Sequence, residues 1–587
     1  MCGIAGMMTS DGAPPPPALL RAMGAALAHR GPDGNGHYRA GEVAMLQTRL
    51  AIIDLETGDQ PLYESGGAAL VGNGEIYNYI ELRAELKGVA FSTASDCETP
   101  LHLYRRHGLD FVRHLRGMYA LALHDPAAGR LILARDPFGI KPLYYVETAR
   151  GVAFASEPNA LLAAQLVPAQ LVRQVRNEFL QLQFSTGRET IFSGIQRVLP
   201  GEMLVVDGGR IVERRHIDVL PAGAPERIGV EEALARLDTV FADSVTVHQR
   251  SDVPYGMFLS GGIDSSAVLA MMARLNERPV TAFTLGFPGG GVADEREHAR
   301  AVAASVGAHH IEVEFREADF WRLLPDIAAS LDDPTADYAV LPTYKLARAA
   351  REAGLKVILC GEGGDELFGG YGRYRAVRRP WWAGGRLPRA RGAFDRLGVL
   401  RGDLAGWRDG IAAAEVRSAL PGRTRLQVAQ AVDCADWLPN DLLVKLDRCL
   451  MAHGVEGRTP FLDPVVAKFA FNLPDDLKVR NRLGKWLLRQ WLAEKMPVAA
   501  PFAKKRGFTV PVGQWIARRA GMLGPLVAAQ PCIREIALPG AVESLFAKAH
   551  GKHEGFAAWT LLFYALWHRH HIEHRKPEGD AFAALAA

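Results

Sequence analysis

The sequence predicts two domains of different fold class: a sheet-rich α+β domain in the first 217 residues and an α/β domain with a parallel sheet after it. Length is the first observation, because 587 residues are too many for one hydrophobic core. The second is that short apolar runs separated by turn signals fill the first part, as in "MYALALHD", "PAAG" and "RLILARD". The third is that strand-like and helix-like segments alternate beyond it, which is typical of a parallel sheet covered by helices.

The stretch "VLPAGAPERIG" separates the two domains. It is rich in Pro, Gly and Ala, so we predict a linker over residues 218–230 between a first domain at 1–217 and a second at 231–520. The predicted strands of the second domain are "VPYGMFL", "VTAFTLGF", "HIEVEF" and "KVILC". Residues 521–587 are expected to form a helical C-terminal extension.

Composition excludes several classes of protein. A formal net charge of +3 is too mild for a dedicated nucleic-acid binder, so no nucleic-acid partner is expected. The six cysteines show no CxxC spacing, which argues against a structural zinc site and a disulfide framework. No run of about 18 apolar residues and no signal peptide is present, so we expect a cytoplasmic protein with no membrane partner.

The segment "FLSGGIDSSAV" (258–268) predicts a loop that holds phosphates. An apolar strand runs into Ser-Gly-Gly, and a helix begins within "DSS". Glycines let the backbone approach an anion, and the N–H groups of a helix start point at it. Asp264 would repel bare phosphate, so we interpret it as a magnesium ligand. The loop lacks the GxxxxGK[ST] pattern of γ-phosphate transfer and is similar to loops that bind pyrophosphate.

A second glycine-rich turn follows a strand about a hundred residues later, in "ILCGEGGDELFGGYGRY" (358–374). Both turns would lie at the carboxyl ends of parallel strands, where open α/β sheets place their ligands. Glu362, Asp365 and Glu366 would then converge with Asp264 on one edge of the sheet. A purely structural loop has little use for four acids, so we interpret this edge as a reaction site with Asp365 joining Asp264 on magnesium.

The cysteine at position 2 raises the question of an N-terminal nucleophile. If Met1 is removed, the α-amine of Cys2, with a pKa of about 8, can act as the base that activates its own thiol. The start "MCGIAG" therefore predicts an N-terminal-nucleophile hydrolase. A chain that keeps Met1 is expected to be inactive in this reaction.

Further motifs reveal a resemblance. In the first half, "HRGPDG", "LQTRLAIID", "VGNGEIYNY", "SDCET" and "ARDPFGIKPLYY" resemble the class II glutamine amidotransferases. Together with "SGGIDSS" and "GEGGDELFGGY" in the same order, the chain resembles the bacterial glutamine-hydrolysing asparagine synthetases over roughly residues 2–515. This implies an N-terminal-nucleophile αββα sandwich for residues 1–217 and a pyrophosphate-loop synthetase domain for 231–520, with a helical C-terminal region.

The resemblance implies roles for residues of the first half. Cys2 would attack the side-chain amide of glutamine and form a thioester. The side chain of Asn73 and the N–H of Gly74 would form an oxyanion hole, and Arg49 would bind the substrate carboxylate. The remaining glutamine-binding positions would accept hydrogen bonds from the α-amine or line the pocket through their backbone, and they are Glu75, Asp96, Ile52 and Ile53.

For the second half, the resemblance implies ATP and Mg²⁺. Glu362 matches a residue tied to formation of the acyl-adenylate and attack by ammonia, and Lys485 matches a lysine that neutralises phosphate charge. The positions that match contacts to adenine and ribose are Leu259, Leu285, Cys360 and Gly361. The pyrophosphate would lie on the loop residues Ser260, Gly261, Gly262, Asp264, Ser265 and Ser266. Asp447 and Arg448 match polar positions of the same domain.

The resemblance implies one reaction and leaves its acceptor open. Aspartate would be amidated through a β-aspartyl-AMP intermediate, with release of AMP and pyrophosphate, and a water-poor passage would carry ammonia between the sites. The alternative keeps this mechanism but amidates another carboxylate, on a peptide, a cell-wall precursor or a polysaccharide. Gly457 stands where a bulkier residue is frequent, which bears on the acceptor pocket. A homodimer is left open.

Other families fit less well. β-Lactam-forming synthetases typically lack the N-terminal cysteine, and sugar amidotransferases lack "SGGIDSS". A non-catalytic relative would have lost Cys2, Asp264 or Glu362.

The His-rich segment "HRHHIEHRK" (568–576) suggests a metal site. It lacks acidic partners at ligand spacing, so we predict a solvated helix end instead. The Arg-rich residues 378–408 are predicted to be a solvated connecting loop.

Overall fold

The computed structural model describes residues 2–288, 295–379, 382, 389–503 and 510–586. Met1 and residues 504–509 lie outside the described residues, as do residues 380–381 and 383–388 of the Arg-rich stretch.

Two antiparallel six-stranded sheets form the first half of the chain. One has the strand order β10-β8-β9-β1-β3-β2 and the other β12-β11-β7-β6-β5-β4. The strands are β1 (Gly3–Thr9), β2 (Gly34–Ala40), β3 (Val43–Arg49), β4 (Leu62–Tyr63), β5 (Ala69–Ile76), β6 (Gly117–Asp125), β7 (Arg130–Arg135), β8 (Tyr144–Thr148), β9 (Gly151–Ala155), β10 (Gln196–Arg197), β11 (Glu202–Asp207) and β12 (Arg210–His216).

The two sheets stack face to face between helices. Ile4 and Met8 of β1 pack against β5 and β7 of the other sheet, whereas Ala5 and Met7 point to the opposite face. Alternation along a strand sends successive side chains to opposite faces, which explains the split. The helices are α1 (Pro17–Leu27), α2 (Tyr79–Glu85), α3 (Thr99–His107), α4 (Pro158–Ala163) and α5 (Arg173–Leu182). Because α1 covers the first sheet and α2 and α3 cover the second, the predicted αββα sandwich is confirmed.

A parallel sheet of five strands, in the order β15-β14-β13-β16-β17, forms the centre of the second half. Its strands are β13 (Tyr255–Phe258), β14 (Thr281–Gly286), β15 (His309–Glu314), β16 (Val357–Leu359) and β17 (Glu456–Arg458), and a hairpin of β18 (Val479–Arg480) and β19 (Leu483–Gly484) stands apart. The four predicted strands are confirmed. The pattern gave no sign of β17, which is three residues long.

Helices surround this sheet and fill the C-terminal region. They are α6 (Val230–His248), α7 (Ile263–Leu275), α8 (Arg296–Ser305), α9 (Glu317–Ser330), α10 (Val340–Glu352), α11 (Gly364–Phe368), α12 (Gly372–Val377), α13 (Asp409–Ser418), α14 (Arg425–Val432), α15 (Val444–Met451), α16 (Pro464–Asn472), α17 (Asp475–Lys478), α18 (Trp486–Lys495), α19 (Val512–Arg518), α20 (Ala520–Ala529), α21 (Pro531–Ile536), α22 (Pro539–Ala547), α23 (Lys552–His571) and α24 (Ala581–Ala586). A π-helix, Asp433–Leu443, joins α14 to α15.

The end of α23 corrects one prediction. His571 is buried, and its Nε2 lies 3.1 Å from the carbonyl oxygen of Ala328 on α9, so the helix end is packed there, whereas residues 574–576 are exposed as predicted. The reason is that Trp559, Phe563 and Trp567 pack α23 into the core along most of its length.

No cluster of metal-ligating side chains occurs in the described part of the chain. Among the same residues, none of the helices has the length and apolar composition needed to cross a bilayer.

Candidate active sites

Cys2 lies directly before β1, at the end of the central strand of the first sheet. Its side chain is buried, and its backbone N–H donates to Asn73 Oδ1 at 3.1 Å. Burial raises the pKa of the Cys2 thiol, although the backbone of Leu50 hydrogen-bonds the thiol and opposes the shift. The thiol therefore needs a nearby base before it can attack a substrate.

Asn73 and Gly74 are adjacent on β5 and meet Cys2 from the second sheet. Because Asn73 accepts from Cys2 through Oδ1, its Nδ2 donor is buried without a partner among the described residues. Gly74 has φ +150°, and a Cβ there would lie 2.0 Å from the carbonyl oxygen of Met118. A side chain is thus excluded at the position that would present its N–H, and the site holds one unsatisfied amide donor suited to a developing oxyanion.

Two buried carboxyl groups lie on or against β5, next to Gly74. Burial raises the pKa of Asp96 to about 6, while its Oδ2 accepts from the backbone N–H of Ile76 at 2.6 Å. Burial, together with the charge of Glu456, raises the pKa of Glu75 well above its usual range. The charge of Glu75 also raises the pKa of the Cys2 thiol, and both carboxylates could accept hydrogen bonds from an ammonium group.

The remaining residues predicted for this site surround it. Arg49 ends β3 and is buried, with its Nη1 2.6 Å from Asp59 Oδ1. Because Asp59 is 82% exposed, this pair leaves the guanidinium available to exchange its partner for a substrate carboxylate. Ile52 is buried and Ile53 is half-buried in one apolar cluster. Cys97 is buried, with its Sγ 3.8 Å from Gly74 O, as a small apolar side chain would be.

A cavity of about 420 Å³, here called the loop cavity, opens at the carboxyl edge of the parallel sheet. The turns after β13 and β16 both border it, because these two strands are adjacent and parallel. The predicted residues that line it are Ser260, Gly261, Gly262, Asp264, Ser265, Cys360, Gly361, Glu362, Asp365 and Lys485. Leu259, Leu285 and Ser266 are buried close by and are not among its described lining residues.

Lys485 joins the two predicted magnesium ligands. Its Nζ pairs with Asp264 Oδ2 and lies 2.6 Å from Asp365 Oδ1. Burial alone would lower the pKa of Lys485, but the two carboxylates hold the pKa above its usual value. The lysine is therefore a fixed positive charge at the end of the glycine loop, where phosphate oxygens would lie.

Glycines make room for these acids. A Cβ on Gly364 would lie 2.5 Å from Asp264 Oδ1, and one on Gly370 would lie 1.8 Å from Asp365 Oδ1. Gly361 would likewise place a Cβ 2.9 Å from that of Asp264. The glycine spacing of "GEGGDELFGGY" is thus explained by the close approach of the two turns.

Glu362 borders the same cavity. Burial raises the pKa of Glu362, and the charge of Lys445 opposes that shift. Lys445 is itself buried, and its Nζ donates to Asp337 at 2.9 Å. Sequence analysis did not single out Lys445, because nothing local connects it to Glu362.

The carboxylates of the loop cavity are suited to bind a magnesium ion. The described residues contain no group of three or more metal-ligating side chains, so a cage made wholly of protein is not present there. Mg²⁺ is usually held by one or two carboxylates together with substrate phosphates. Asp264 and Asp365 supply two carboxylates beside a phosphate-binding loop, which matches that arrangement.

A buried ion network joins the two halves of the chain. Arg30 binds Asp447 through two hydrogen bonds of 2.8 and 3.0 Å and Glu157 through one of 2.6 Å. Arg448 pairs with Asp447 at 2.9 Å and with Asp332 at 2.8 Å. The two positions of unassigned role, Asp447 and Arg448, are therefore part of the interface between the halves.

Arg458 on β17 makes a second connection between the halves. Its Nη2 lies 3.3 Å from Glu75 Oε2, and its Nε donates to Glu456 Oε1 at 2.6 Å. The side chain is fully buried. A residue of the parallel sheet thus contacts a residue of the Cys2 site. Sequence reasoning missed it, because the partners are almost 400 positions apart in the chain.

Comparison with known proteins agrees with this architecture. The family described as asparagine synthase matches residues 236–569, and the glutamine amidotransferase domain matches residues 1–217. The chain belongs to the asparagine synthase family. As a member of this family it is a carbon–nitrogen ligase with glutamine as the amido donor.

Individual relatives are similar over most of the chain. Asparagine synthetase [glutamine-hydrolyzing] 1 of Bacillus subtilis is 32% identical and covers 95% of this chain and 94% of its own length. The protein named Amidase chry2 of Gibberella zeae is 29% identical and covers 82% of this chain and 84% of its own length. The relatives similar to this chain thus carry different names for their activity.

Proposed function

We propose that this chain amidates the side-chain carboxylate of aspartate with ammonia released from glutamine, and converts ATP to AMP and pyrophosphate. The observation that carries the proposal is the group of Asp264, Asp365, Lys485 and Glu362 on the glycine-loop cavity, in one chain with a buried Cys2 beside an unpaired amide donor. The first site would release ammonia and the second would activate a carboxylate.

Ammonia release is assigned to the Cys2 site. After removal of Met1, the α-amine of Cys2 would take the thiol proton, and the thiolate would attack the amide carbon of glutamine. Asn73 Nδ2 and Gly74 N–H would stabilise the oxyanion. Arg49 would bind the substrate carboxylate, and Glu75 and Asp96 would accept from its α-ammonium group.

Carboxylate activation is assigned to the loop cavity. A carboxylate is a poor electrophile, so it is first joined to AMP, which is a good leaving group. Mg²⁺, when bound by Asp264 and Asp365, would neutralise charge on the departing pyrophosphate. Lys485 would add a fixed positive charge, and Glu362, with its raised pKa, would accept the proton lost by attacking ammonia.

The space between the sites supports a water-poor passage. One apolar cluster contains Leu50, Tyr77 and Met118 of the first half together with Leu259 and Leu443 of the second. Ammonia crossing such a region would stay unprotonated and nucleophilic. The closeness of the halves at Arg458 and Glu75 agrees with this assignment.

A different carboxylate is the second candidate acceptor. Part of the lining of the loop cavity is apolar, with Ala339, Pro342, Leu346, Leu442 and Leu446. A Cβ on Gly457 would lie 3.1 Å from Leu446 and Leu450, so leucines fill the space that a bulkier residue would take. An apolar wall is a weak match to the charged groups of aspartate, and the relative named an amidase is consistent with another acceptor.

Pyrophosphate release tests the proposal. Purified protein is given ATP, Mg²⁺ and aspartate with either glutamine or ammonium, and is compared with Cys2→Ala and Glu362→Gln. We expect Cys2→Ala to lose the glutamine reaction and keep the ammonium reaction. We expect Glu362→Gln to hydrolyse glutamine without sustained release of pyrophosphate, because turnover stops at the adenylate when no base accepts the proton of attacking ammonia. Glutamine hydrolysis without any pyrophosphate from aspartate in the parent would reject aspartate and leave the second candidate.

A further inference from the structure

An arginine-lined pocket of about 420 Å³ lies next to the loop cavity and has no part in the chemistry above. Its lining residues are Arg375, Arg378, Arg379, Val479 and Arg482, here called the arginine pocket. Helix α12 supplies one side and the β18–β19 hairpin supplies the other. Val479 is the one buried residue among those that line the pocket.

Hydrogen bonds hold the two sides of this pocket together. Arg378 donates to the carbonyl oxygen of Val479 and pairs with Asp476 at 2.6 Å. Arg375 donates through Nη1 to the carbonyl oxygen of Arg482 at 2.7 Å. The concave shape is therefore set by contacts between α12 and the hairpin, and a ligand would not have to create it.

Three of the four arginines of the pocket have no carboxylate partner among the described residues, whereas Arg378 pairs with Asp476. Arg375, Arg379 and Arg482 are exposed, and within the described residues none of them forms an ion pair with a carboxylate. Arginine stays charged at any physiological pH, so like charges are held close together at a cost. Planar guanidinium groups arranged in this way match a phosphate or carboxylate ligand.

The hairpin keeps side chains in an unfavourable backbone conformation. Asn481, Arg482 and Lys485 have φ of +50°, +63° and +55°, where glycine would be free of strain. Lys485 is explained by the loop cavity. Asn481 and Arg482 are the two residues of the tight turn between Arg480 and Leu483, a turn that requires positive φ at both positions, and this turn leaves the Arg482 side chain exposed beside Arg375.

The arginine pocket and the loop cavity share a wall. Tyr371 lines the loop cavity, and Arg375 follows four residues later, about one helical turn or ~6 Å along the chain. A Cβ on Gly484 of the hairpin would lie 2.3 Å from the carbonyl oxygen of Gly369, so hairpin and wall are in direct contact. Burial lowers the pKa of Arg489 in the loop cavity, and the charge of Arg375 adds to that shift.

We propose that the arginine pocket binds a second anionic group, a phosphate or a carboxylate, on the acceptor whose first carboxylate is amidated in the loop cavity. The inference rests on the proposed function and favours its second candidate acceptor. The glycine loop and Lys485 are assigned to the triphosphate of ATP. The arginine pocket is therefore available to bind the other substrate. Aspartate, with two carboxylates only a few bonds apart, is too short to use both places.

A binding experiment tests the pocket without turnover. The double variant Arg375→Glu/Arg482→Glu is compared with the parent and with the control Arg278→Glu/Arg519→Glu, which makes the same charge change at exposed arginines elsewhere. Tripolyphosphate and citrate are titrated calorimetrically into protein saturated with Mg²⁺ and a non-hydrolysable ATP analogue. We expect at least one anion to bind the parent and the control equally, and the pocket variant at least tenfold more weakly.

An acceptor series identifies the anionic group. Ammonium-driven pyrophosphate release is measured with glucuronate against glucuronate 1-phosphate, and with aspartate against aspartyl-aspartate. The added phosphate or aspartyl group is here called the tail. If the pocket binds phosphate, the KM of glucuronate 1-phosphate should be at least tenfold lower than that of glucuronate. If it binds carboxylate, the KM of aspartyl-aspartate should be at least tenfold lower than that of aspartate. The advantage should disappear in the pocket variant and persist in the control.

The outcomes separate the two proposals. If neither anion binds the parent, or the pocket variant binds as tightly as the parent, the arginine pocket is not an anion site. If an anion binds there but no tail lowers KM, the link to the acceptor is wrong. If the parent hydrolyses glutamine but releases no pyrophosphate with any acceptor, the proposed function fails while the binding result still stands. Thermal unfolding of Arg375→Glu/Arg482→Glu checks that weaker binding does not reflect misfolding, and Arg375→Gln/Arg482→Gln, which should also bind more weakly, removes the charge without reversing it.

Discussion

At the scale of single residues, the Cys2 site is defined by donors and acceptors that lack ordinary partners. Asn73 uses its carbonyl oxygen to position Cys2 and leaves its N–H₂ group unused inside the protein. An unsatisfied buried donor costs about 1–3 kcal/mol, so such a group is retained where a substrate completes it. The same residue thus orients the nucleophile and offers a hydrogen bond to the oxyanion.

We predict that Asn73→Ala lowers kcat for glutamine hydrolysis by about 100- to 1000-fold, the usual loss when one oxyanion donor is removed. Ammonium-driven pyrophosphate release should remain near the parental rate. Steady-state assays of both reactions give the comparison, with alkylation of Cys2 by iodoacetamide as a check that the thiol is still accessible. Equal loss of both activities would assign Asn73 to stability and not to the oxyanion.

At the scale of elements, tight turns place the acids of the loop cavity. Gly370 ends the segment after α11, where any side chain would overlap the carboxylate of Asp365 and the side chain of Lys485. These turns were predictable, because Gly, Ser and Asp directly after an apolar strand are a strong local signal. The left-handed backbone at Lys485 was not predictable, because it follows from contacts between the β18–β19 hairpin and the turn after α11.

We predict that Gly370→Ala lowers ATP-dependent pyrophosphate release by about 100-fold, since a shift of about 1 Å in a catalytic group has that effect. Glutamine hydrolysis should be unchanged. The control is Gly521→Ala, because a Cβ at Gly521 meets nothing within 4 Å. A parental rate of pyrophosphate release in Gly370→Ala would show that Asp365 and Lys485 can move without consequence.

Helix α5 carries a carboxyl group whose protonation should affect stability. Burial raises the pKa of Glu178 to about 7, although its Oε2 accepts from the N–H and the Oγ1 of Thr186, each at 2.8 Å. The unfolded chain releases this proton near pH 4.5, but the folded chain keeps it to about pH 7. Raising the pH through this window therefore lowers the free energy of unfolding.

We predict that the free energy of unfolding of Glu178→Gln, relative to that of the parent, is lowest at pH 4.5 and rises by up to about 3 kcal/mol by pH 7.5. The reason is that glutamine does not titrate, whereas Glu178 of the parent loses its proton over this range. Thermal midpoints of both proteins at these two pH values measure the effect. The exposed Glu213→Gln serves as the control. A constant difference between parent and Glu178→Gln across the window would contradict the raised pKa.

At the scale of the whole molecule, ions buried between the halves hold the two sites in register. The pair of Arg30 and Asp447 has two hydrogen bonds, and both side chains are buried. Breaking a buried pair by removing one charge usually costs about 3–5 kcal/mol, because the partner is left uncompensated. An exposed pair between the same halves, Arg116 with Asp243, is expected to be worth about 1 kcal/mol or less.

We therefore predict that Asp447→Asn lowers the thermal midpoint markedly and uncouples ammonia transfer, whereas Asp243→Asn has little effect on either. Coupling is measured as the ratio of pyrophosphate released to glutamate formed. A ratio near the parental value in Asp447→Asn would show that the buried pair serves stability alone.

The sequence predicted both fold classes and the positions of the two sites. The motif turns were predictable because their signals are local, as at Ser260–Ser266 and at Cys2. The interface was not predictable, because Arg30 and Asp447 are 417 positions apart and only the folded chain brings them together. The roles of Leu259 and Leu285, and the division of the chain at 218–230, stay predictions.

The contact between Arg458 and Glu75 has a consequence for modularity. Each half has its own sheet, and a gene cut in the linker would encode two units that look self-sufficient. Besides Arg458 and Glu75, the halves expressed alone would expose the apolar cluster that they share, with Leu50, Tyr77 and Met118 on one side and Leu259 and Leu443 on the other. Such fragments should aggregate singly and recover solubility only when produced together. Through the contacts of β17, the two halves thus depend on each other and must be produced together.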